Sequence, residues 1–433
     1  MVSIKEADQD HPVSRGLALI LLFLILSNLL FNSFQIMSFS GWTLRAIDIT
    51  AMLTVLILPA LVGRYRFVQL QPMLGFLLGF FAIAAGATAW TVLSINIPAN
   101  ELSRVARALI RLFEVLLLAL AVRTVLRKDA LYPAIWFVLI ICSIYPLYSL
   151  YLNIIQPGIY SRIGSFLSVG SSQEGILGGG QASFNELAAL CATLFLLSCS
   201  LSLSGKIPVR QRLYAFAFAA FYILGLFLTG SRSGMGSAFI GAFVLLLLAD
   251  KRQKMLLGII SVAFAAVLSV QQSFLLLMYE RIAATFNSST FEYATTMVRL
   301  DAWKSAIDTF IQHPVLGVGY ACFPIFNSGG FITTEIYFLE ILADTGLLGI
   351  FLWTWYVIQL AKRSSFRSRS TTAGGELWRQ LFIPPAVGLL ASNLTGNNFF
   401  DPGLLLLFFF ICAALEKYSR EPVTISYHVP LKA

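Results

Sequence analysis

Apolar runs long enough to cross a bilayer recur along almost the whole of this 433-residue chain. A hydrocarbon core of about 30 Å takes roughly 20 apolar residues of helix to span. Runs of that order lie near residues 16–33, 45–62, 73–95, 105–122, 131–153 and 184–204, and again near 213–230, 233–249, 255–271, 336–360, 380–396 and 402–416. In lipid a segment has to satisfy its own backbone polar groups, so such runs dictate helices. The expectation is an all-α polytopic membrane protein of about twelve transmembrane helices, some tilted or partly re-entrant. With 58% hydrophobic and 12% charged residues, the composition lies outside the range of a soluble domain. No internal repeat is evident, which argues against transporter folds built from duplicated halves.

The basic residues orient the chain. Arg64 and Arg66, Arg123 with Arg127 and Lys128, Lys206 with Arg210 and Arg212, and Lys251 with Arg252 and Lys254 fall in alternate links. Lys362, Arg363, Arg367, Arg369 and Arg379 continue the alternation, and Lys417 and Arg420 close it. The positive-inside rule then puts both termini in the cytoplasm. The net charge of +9 is accounted for by these loops and does not call for a nucleic-acid partner. The apolar run after the polar stretch Met1–Arg15 lacks a small-residue cleavage site and reads as a retained span. Cys142, Cys191, Cys199, Cys322 and Cys412 form no CxxC or Cys/His cluster, so neither a disulfide scaffold nor a metal site is expected, and no cofactor.

Six segments follow: residues 1–153 with helices 1–5, an outer loop 154–183, and residues 184–271 with helices 6–9. Then come a large outer loop 272–335, residues 336–416 with helices 10–12, and a cytoplasmic tail 417–433. Loop 154–183 is rich in glycine, including Gly175, Gly178, Gly179 and Gly180, and reads as a loop without its own core. The second outer loop, of roughly 60 residues, far exceeds what joining two helices requires. It is the place to look for part of an active site.

Several outer cations break the charge rule: Arg45, Arg104, Arg107, Arg111, Arg162, Arg232, Arg281, Arg299 and Lys304. Arg162 lies in Tyr160–Gly164, Arg232 in a turn between two spans, and Arg299 in an amphipathic pattern leading to His313 and Pro314. Singly, each position also suits a side chain snorkelling to headgroups. As a set on one membrane face, they suit a phosphate-bearing substrate, because guanidinium forks bind phosphate bidentately and stay charged beside lipid. Arg104, Arg107, Arg111 and Glu114 share a helix face by spacing. They either guide an anionic headgroup or, for Arg111 with Glu114, form a structural pair; Asp48 and Glu186 are further candidate partners.

Glu335 stands where the outer loop meets an apolar helix, a place for a general base or for a carboxylate favoured by the helix dipole. Glu340 and Asp344 lie deeper, where a carboxylate needs a partner. His313 precedes a proline at a turn. No phosphate-binding loop, HExxH or GxSxG is present, and Gly230–Gly234 carries arginine where a nucleophilic serine would be needed.

In order along the chain, Arg162-Ile163-Gly164, Asn185, Ser231-Arg232, Arg299 with Trp303, Pro314–Gly319, and the apolar helix with Gly346 and Gly349 resemble the bacterial O-antigen ligase/polymerase family over residues 155–360. The resemblance implies a GT-C-like glycosyltransferase of the inner membrane that needs neither nucleotide sugar nor metal. Its donor would be an undecaprenyl-diphosphate-linked oligosaccharide, used at the periplasmic face. It also implies catalytic roles for Arg162, Arg232 and Arg299 on the diphosphate; Glu335 is the candidate base from its own position at the loop–helix junction. Arg104, Arg107, Arg111, Arg281, His313 and Asp344 are the further substrate-binding candidates. Ligases of the family usually carry histidine-asparagine eleven residues before the glycine that is Gly346 here; this chain has Glu335-Ile336. That departure favours a polysaccharide polymerase, acting in exopolysaccharide or O-antigen biosynthesis beside a chain-length regulator or export machinery. A ligase acting on lipid A-core is the alternative, and a non-catalytic lipid-linked sugar transporter is the third reading.

Overall fold

The structure is a computed structural model describing residues 12–31, 35–39, 42–62, 72–95, 97–144, 146–147, 184–229, 231–255, 258, 291–327, 333–334, 336–364, 373–394, 396 and 398–418. Arg162, Arg281 and Glu335 lie outside the described residues, as do the loop 154–183 and most of the run 255–271. The other apolar runs fall on helices. These are α1 (Pro12–Phe31), α2 (Ala46–Val62), α3 (Pro72–Ser94), α4 (Ala99–Val125), α5 (Lys128–Cys142), α6 (Phe184–Leu203), α7 (Val209–Thr229) and α8 (Arg232–Leu248). Residues 272–335 contribute α9 (Phe291–Gln312) and the short α10 (Phe323–Phe326), and α11 (Tyr337–Ser364), α12 (Ala373–Ser392) and α13 (Pro402–Tyr418) follow. An antiparallel hairpin, β1 (Gln35–Phe39) with β2 (Trp42–Arg45), lies between α1 and α2 and was not announced by the apolar pattern.

α13 is the axis of the bundle. Asp401 caps it, its Oδ1 accepting the Leu404 N–H at 2.8 Å, and Pro402 occupies the first helical position, where no N–H is required. Every residue from Gly403 to Glu416 is buried, as befits a helix apolar all round. It packs against α1, α4, α11 and α12. At its far end Lys417 Nζ and Tyr418 Oη donate to the Leu126 carbonyl at 2.5 and 2.8 Å, satisfying the C-terminal cap of α4.

A second group, α6, α7, α8 and α12, is drawn close by glycines. A Cβ on Gly234 would stand 2.4 Å from that of Ala188, and one on Gly241 would stand 2.2 Å from Leu196 Cδ1. Small residues of this kind let helix backbones approach where no hydrophobic drive separates helix from lipid. Gly241 faces the Pro384 carbonyl while Gly388 faces that of Ser237, so α8 and α12 run antiparallel.

The outward faces are strongly apolar: Leu78, Leu93, Leu213, Phe239 and Phe351 are all 60% exposed or more. Such surface is costly in water and suits lipid. Among the described residues, Pro72–Ser94, Asn185–Leu203 and Tyr337–Ser364 are long and apolar enough to cross a membrane by length and composition.

Candidate functional site

The long apolar helix expected from about residue 336 is broken. Gly346, at φ 62° and ψ −159°, divides α11 into Tyr337–Thr345 and Leu347–Ser364. That backbone region belongs almost wholly to glycine. Into the break fits the loop His313–Gly319, which completes the severed hydrogen bonding on both sides. The N–H groups of Val318 and Gly319 donate to the carbonyls of Ala343 and Asp344 at 3.0 and 2.8 Å. Those of Leu347 and Leu348 donate to the carbonyls of Pro314 and Val315 at 2.9 and 3.3 Å. A helix can be interrupted inside a membrane protein only where other protein groups or a cavity take up the freed backbone, and here the loop His313–Gly319 does so.

α3 and the first half of α11 hold the rest of this loop. Thr88 Oγ1 accepts the Tyr320 N–H at 2.9 Å, and Thr91 Oγ1 donates to the Val318 carbonyl at 2.5 Å. Asp344, fully buried, accepts the N–H groups of Ala321 and Phe323 at 2.7 and 2.9 Å. Ala321 has φ 60°, a left-handed conformation unusual for alanine that this carboxylate holds in place. Asparagine at 344 has only one acceptor oxygen and strands one of those buried donors. Asp344→Asn is expected to cost about 1–3 kcal/mol, read as a lowered denaturation midpoint of the purified protein.

Among the described candidates, Arg232, Arg299 and His313 lie toward one end of the bundle. Tyr320 stacks on Phe400, and Tyr337 packs edge-on against Phe399, so the start of α13 and the start of α11 adjoin. α12 leads into those phenylalanines, and α8, antiparallel to it, begins beside its end. Arg232, the first residue of α8, is therefore at this end, and exposed. Its turn is fixed by Asn185, whose Oδ1 accepts the Ser231 and Ser233 hydroxyls at 2.8 and 3.1 Å, while Ser231 Oγ caps the Gly234 N–H. Arg299 is half-buried on α9, and His313 is exposed just beyond that helix, its ring edge-on to Phe326.

The arginine row of α4 divides. Arg111 is engaged by Asp48 and, at 3.0 Å, by Glu114, so it reads as part of a half-buried charge network. Arg104 pairs with Glu101 at 2.8 Å and also reaches the broken helix electrostatically. Burial, reinforced by Asp344, pushes the Cys322 thiol up to about 12, and the Arg104 guanidinium opposes that shift. Burial, with Asp344 and then Glu340, likewise raises the Tyr320 phenol. Arg107 is exposed.

Between α3 and the loop lies a groove of about 230 Å³, walled by Trp90, Ser94, His313, Val315 and Phe326. Its α3 wall, like the two loop-binding threonines, had no signal in the sequence beyond ordinary polar residues within a span.

Fold and site together define a helical membrane protein in which the loop after α9 is built into a broken helix. Residues 217–354, from α7 through the break in α11, match the family model described as O-antigen ligase. No curated protein matches the sequence.

Proposed function

We propose that this protein is a polysaccharide polymerase that joins undecaprenyl-diphosphate-linked repeat units by inverting glycosyl transfer at the periplasmic face of a bacterial inner membrane. The observation that carries the reading is the coincidence of the O-antigen ligase match with the arginine-bearing helices α8 and α9 and the broken α11. About twelve spans in a GT-C-like arrangement, with both termini cytoplasmic, put that end of the bundle on the periplasmic side.

In the reaction, Glu335 takes the proton of an acceptor hydroxyl, and that oxygen attacks the anomeric carbon of the donor glycan. The bond from that carbon to the diphosphate breaks, and undecaprenyl diphosphate leaves with the electron pair. Arg162, Arg232 and Arg299 hold its charge, so the leaving group is stabilised without a metal. Arg104, Arg107 and Arg281 draw the anionic carrier toward them. The groove at Trp90 and His313 takes the acceptor sugar, with Asp344 keeping its loop wall in place.

The family description favours a second reading, a ligase that moves finished glycan to a lipid A-core or other acceptor. A strain lacking the protein separates the two. Accumulation of single lipid-linked repeat units is the expected result, whereas long glycan left on the carrier means a ligase. Purified protein given a synthetic lipid-linked repeat unit, with chelator and no nucleotide sugar, is expected to build a ladder and release undecaprenyl diphosphate. Transport of the unit without any such release would sink the enzymatic reading.

A further inference from the structure

The groove between α3 and the loop after α9 is preformed. Thr91 Oγ1 holds the Val318 carbonyl, and the Gly317 N–H donates to the His313 carbonyl at 3.0 Å. The His313 N–H donates to the carbonyls of Thr309 and Phe310, both at 3.1 Å, so the loop leaves α9 in a fixed direction. The His313 ring stands edge-on to Phe326, with centroids 5.6 Å apart. On the α3 wall the Trp90 indole is 68% exposed. A pocket held open in this way loses little on ordering when a ligand enters.

The polar groups that line it are unspent. Trp90 Nε1, Ser94 Oγ and the ring nitrogens of His313 have no hydrogen-bond partner among the described residues. Thr91, by contrast, is used up in holding the loop. This lining selects among ligands. A hydrocarbon tail would cover those donors and acceptors without replacing their water, which is unfavourable. A diphosphate would find no lysine or arginine among the lining residues. A sugar ring carries an apolar C–H face and a rim of hydroxyls that donate and accept, which matches an indole face beside a hydroxyl and an imidazole. Binding sites for small polar molecules commonly have this make-up, mostly apolar walls with a few placed polar groups. At about 230 Å³ the groove is smaller than the ~300–1,000 Å³ of sites for drug-sized ligands, so it suits a single ring rather than a whole repeat unit.

We propose that this groove is a monosaccharide subsite for the acceptor glycan, in which one ring lies with its C–H face on Trp90 and its hydroxyls on Ser94 and His313. The assignment of that ring to the acceptor rests on the transfer reaction proposed above. The subsite wall is the same loop that is wedged into α11. A ring seated there is registered against the broken helix by the bonds that tie Val318 and Gly319 to Ala343 and Asp344.

The probe is the free oligosaccharide released by mild acid from the lipid-linked glycan that accumulates in a strain lacking the protein. With the full-length protein in nanodiscs, saturation-transfer NMR is expected to mark the C–H protons of one ring. Trp90→Ala is expected to weaken that binding by roughly ten-fold or more, and Trp90→Phe by less. Leu93→Ala, at a neighbour 85% exposed outside the groove, leaves it unchanged. In turnover with the free oligosaccharide as acceptor, Trp90→Ala raises the acceptor KM by the same factor and spares the donor KM. A tryptophan that only anchors α3 at the membrane interface lowers the amount of folded protein and leaves glycan binding alone, which overturns the proposal. A rise in donor KM with the acceptor spared also overturns it, in favour of a groove for the carrier chain. Glycan binding that depends on Trp90 in a protein that transfers nothing removes the proposed function and leaves the subsite standing. Transfer with binding indifferent to Trp90 does the reverse. Should Trp90→Ala not accumulate, Ser94→Ala combined with His313→Ala strips the polar edge and is read in the same way.

Discussion

Glu335→Gln is expected to lower polymerising turnover by roughly 10²–10⁴-fold while leaving donor binding almost intact. Glutamine matches the shape of the carboxylate but takes no proton, so the loss falls on kcat. The wild type should also lose activity toward acid as the base becomes protonated, a limb that Glu335→Gln abolishes. Arg299→Ala is expected to differ in kind. It removes a fixed cation from the departing diphosphate, costing roughly 10²–10³-fold in kcat, and it weakens donor binding as well. Both variants are compared at equal membrane levels, by ladder formation in vitro and by polymer length in cells. Full-length polysaccharide from both would remove Glu335 and Arg299 from the site. A loss in Arg299→Ala alone would keep the diphosphate assignment and require another base.

Helices were legible because lipid imposes them: nearly every apolar run that suggested a span falls on a helix among the described residues. The Ser231-Arg232 turn was legible too, since α7 ends at Thr229 and α8 begins at Arg232. What the pattern hid was the break in α11. Residues 336–360 read as one continuous apolar helix, and only Gly346 disturbs it. A glycine inside an apolar run is as compatible with tight packing, as at Gly241, as with a reversal of backbone. The distinction depends on the loop at Pro314–Gly319, which is remote in sequence. Charge pairing was more legible: the spacing put Arg111 beside Glu114, and Asp48, a candidate partner by its place in a span, reaches the same guanidinium from α2. Arg104, Arg232 and His313 were candidates through charge in an apolar chain, and the place of Arg232 beside the end of α12 came from how α8 and α12 pack.

Gly346→Ala should be among the most damaging single-methyl changes in the protein. An added Cβ would lie 2.4 Å from the Val315 carbonyl oxygen and 2.7 Å from the Gly317 nitrogen, both of them backbone atoms with no rotamer to yield. The conformation at Gly346 costs alanine about 1–3 kcal/mol by itself, and the overpacked contact adds about 1–3 kcal/mol more. Relief requires the loop to leave the break, which strands the carbonyls of the buried Ala343 and Asp344 and deprives the N–H groups of Leu347 and Leu348 of their acceptors. The expected result is a sharply lowered denaturation midpoint and loss of turnover, even where some protein reaches the membrane. Gly86→Ala is the matched control, because a Cβ there meets nothing within 4 Å. On an ordinary helical position that change is expected to be neutral or to stabilise by up to about 1 kcal/mol. Equal behaviour of the two variants would mean that the loop is not wedged into α11. A Gly346→Ala protein that stays folded but inactive would locate the importance of the break in the chemistry rather than in assembly.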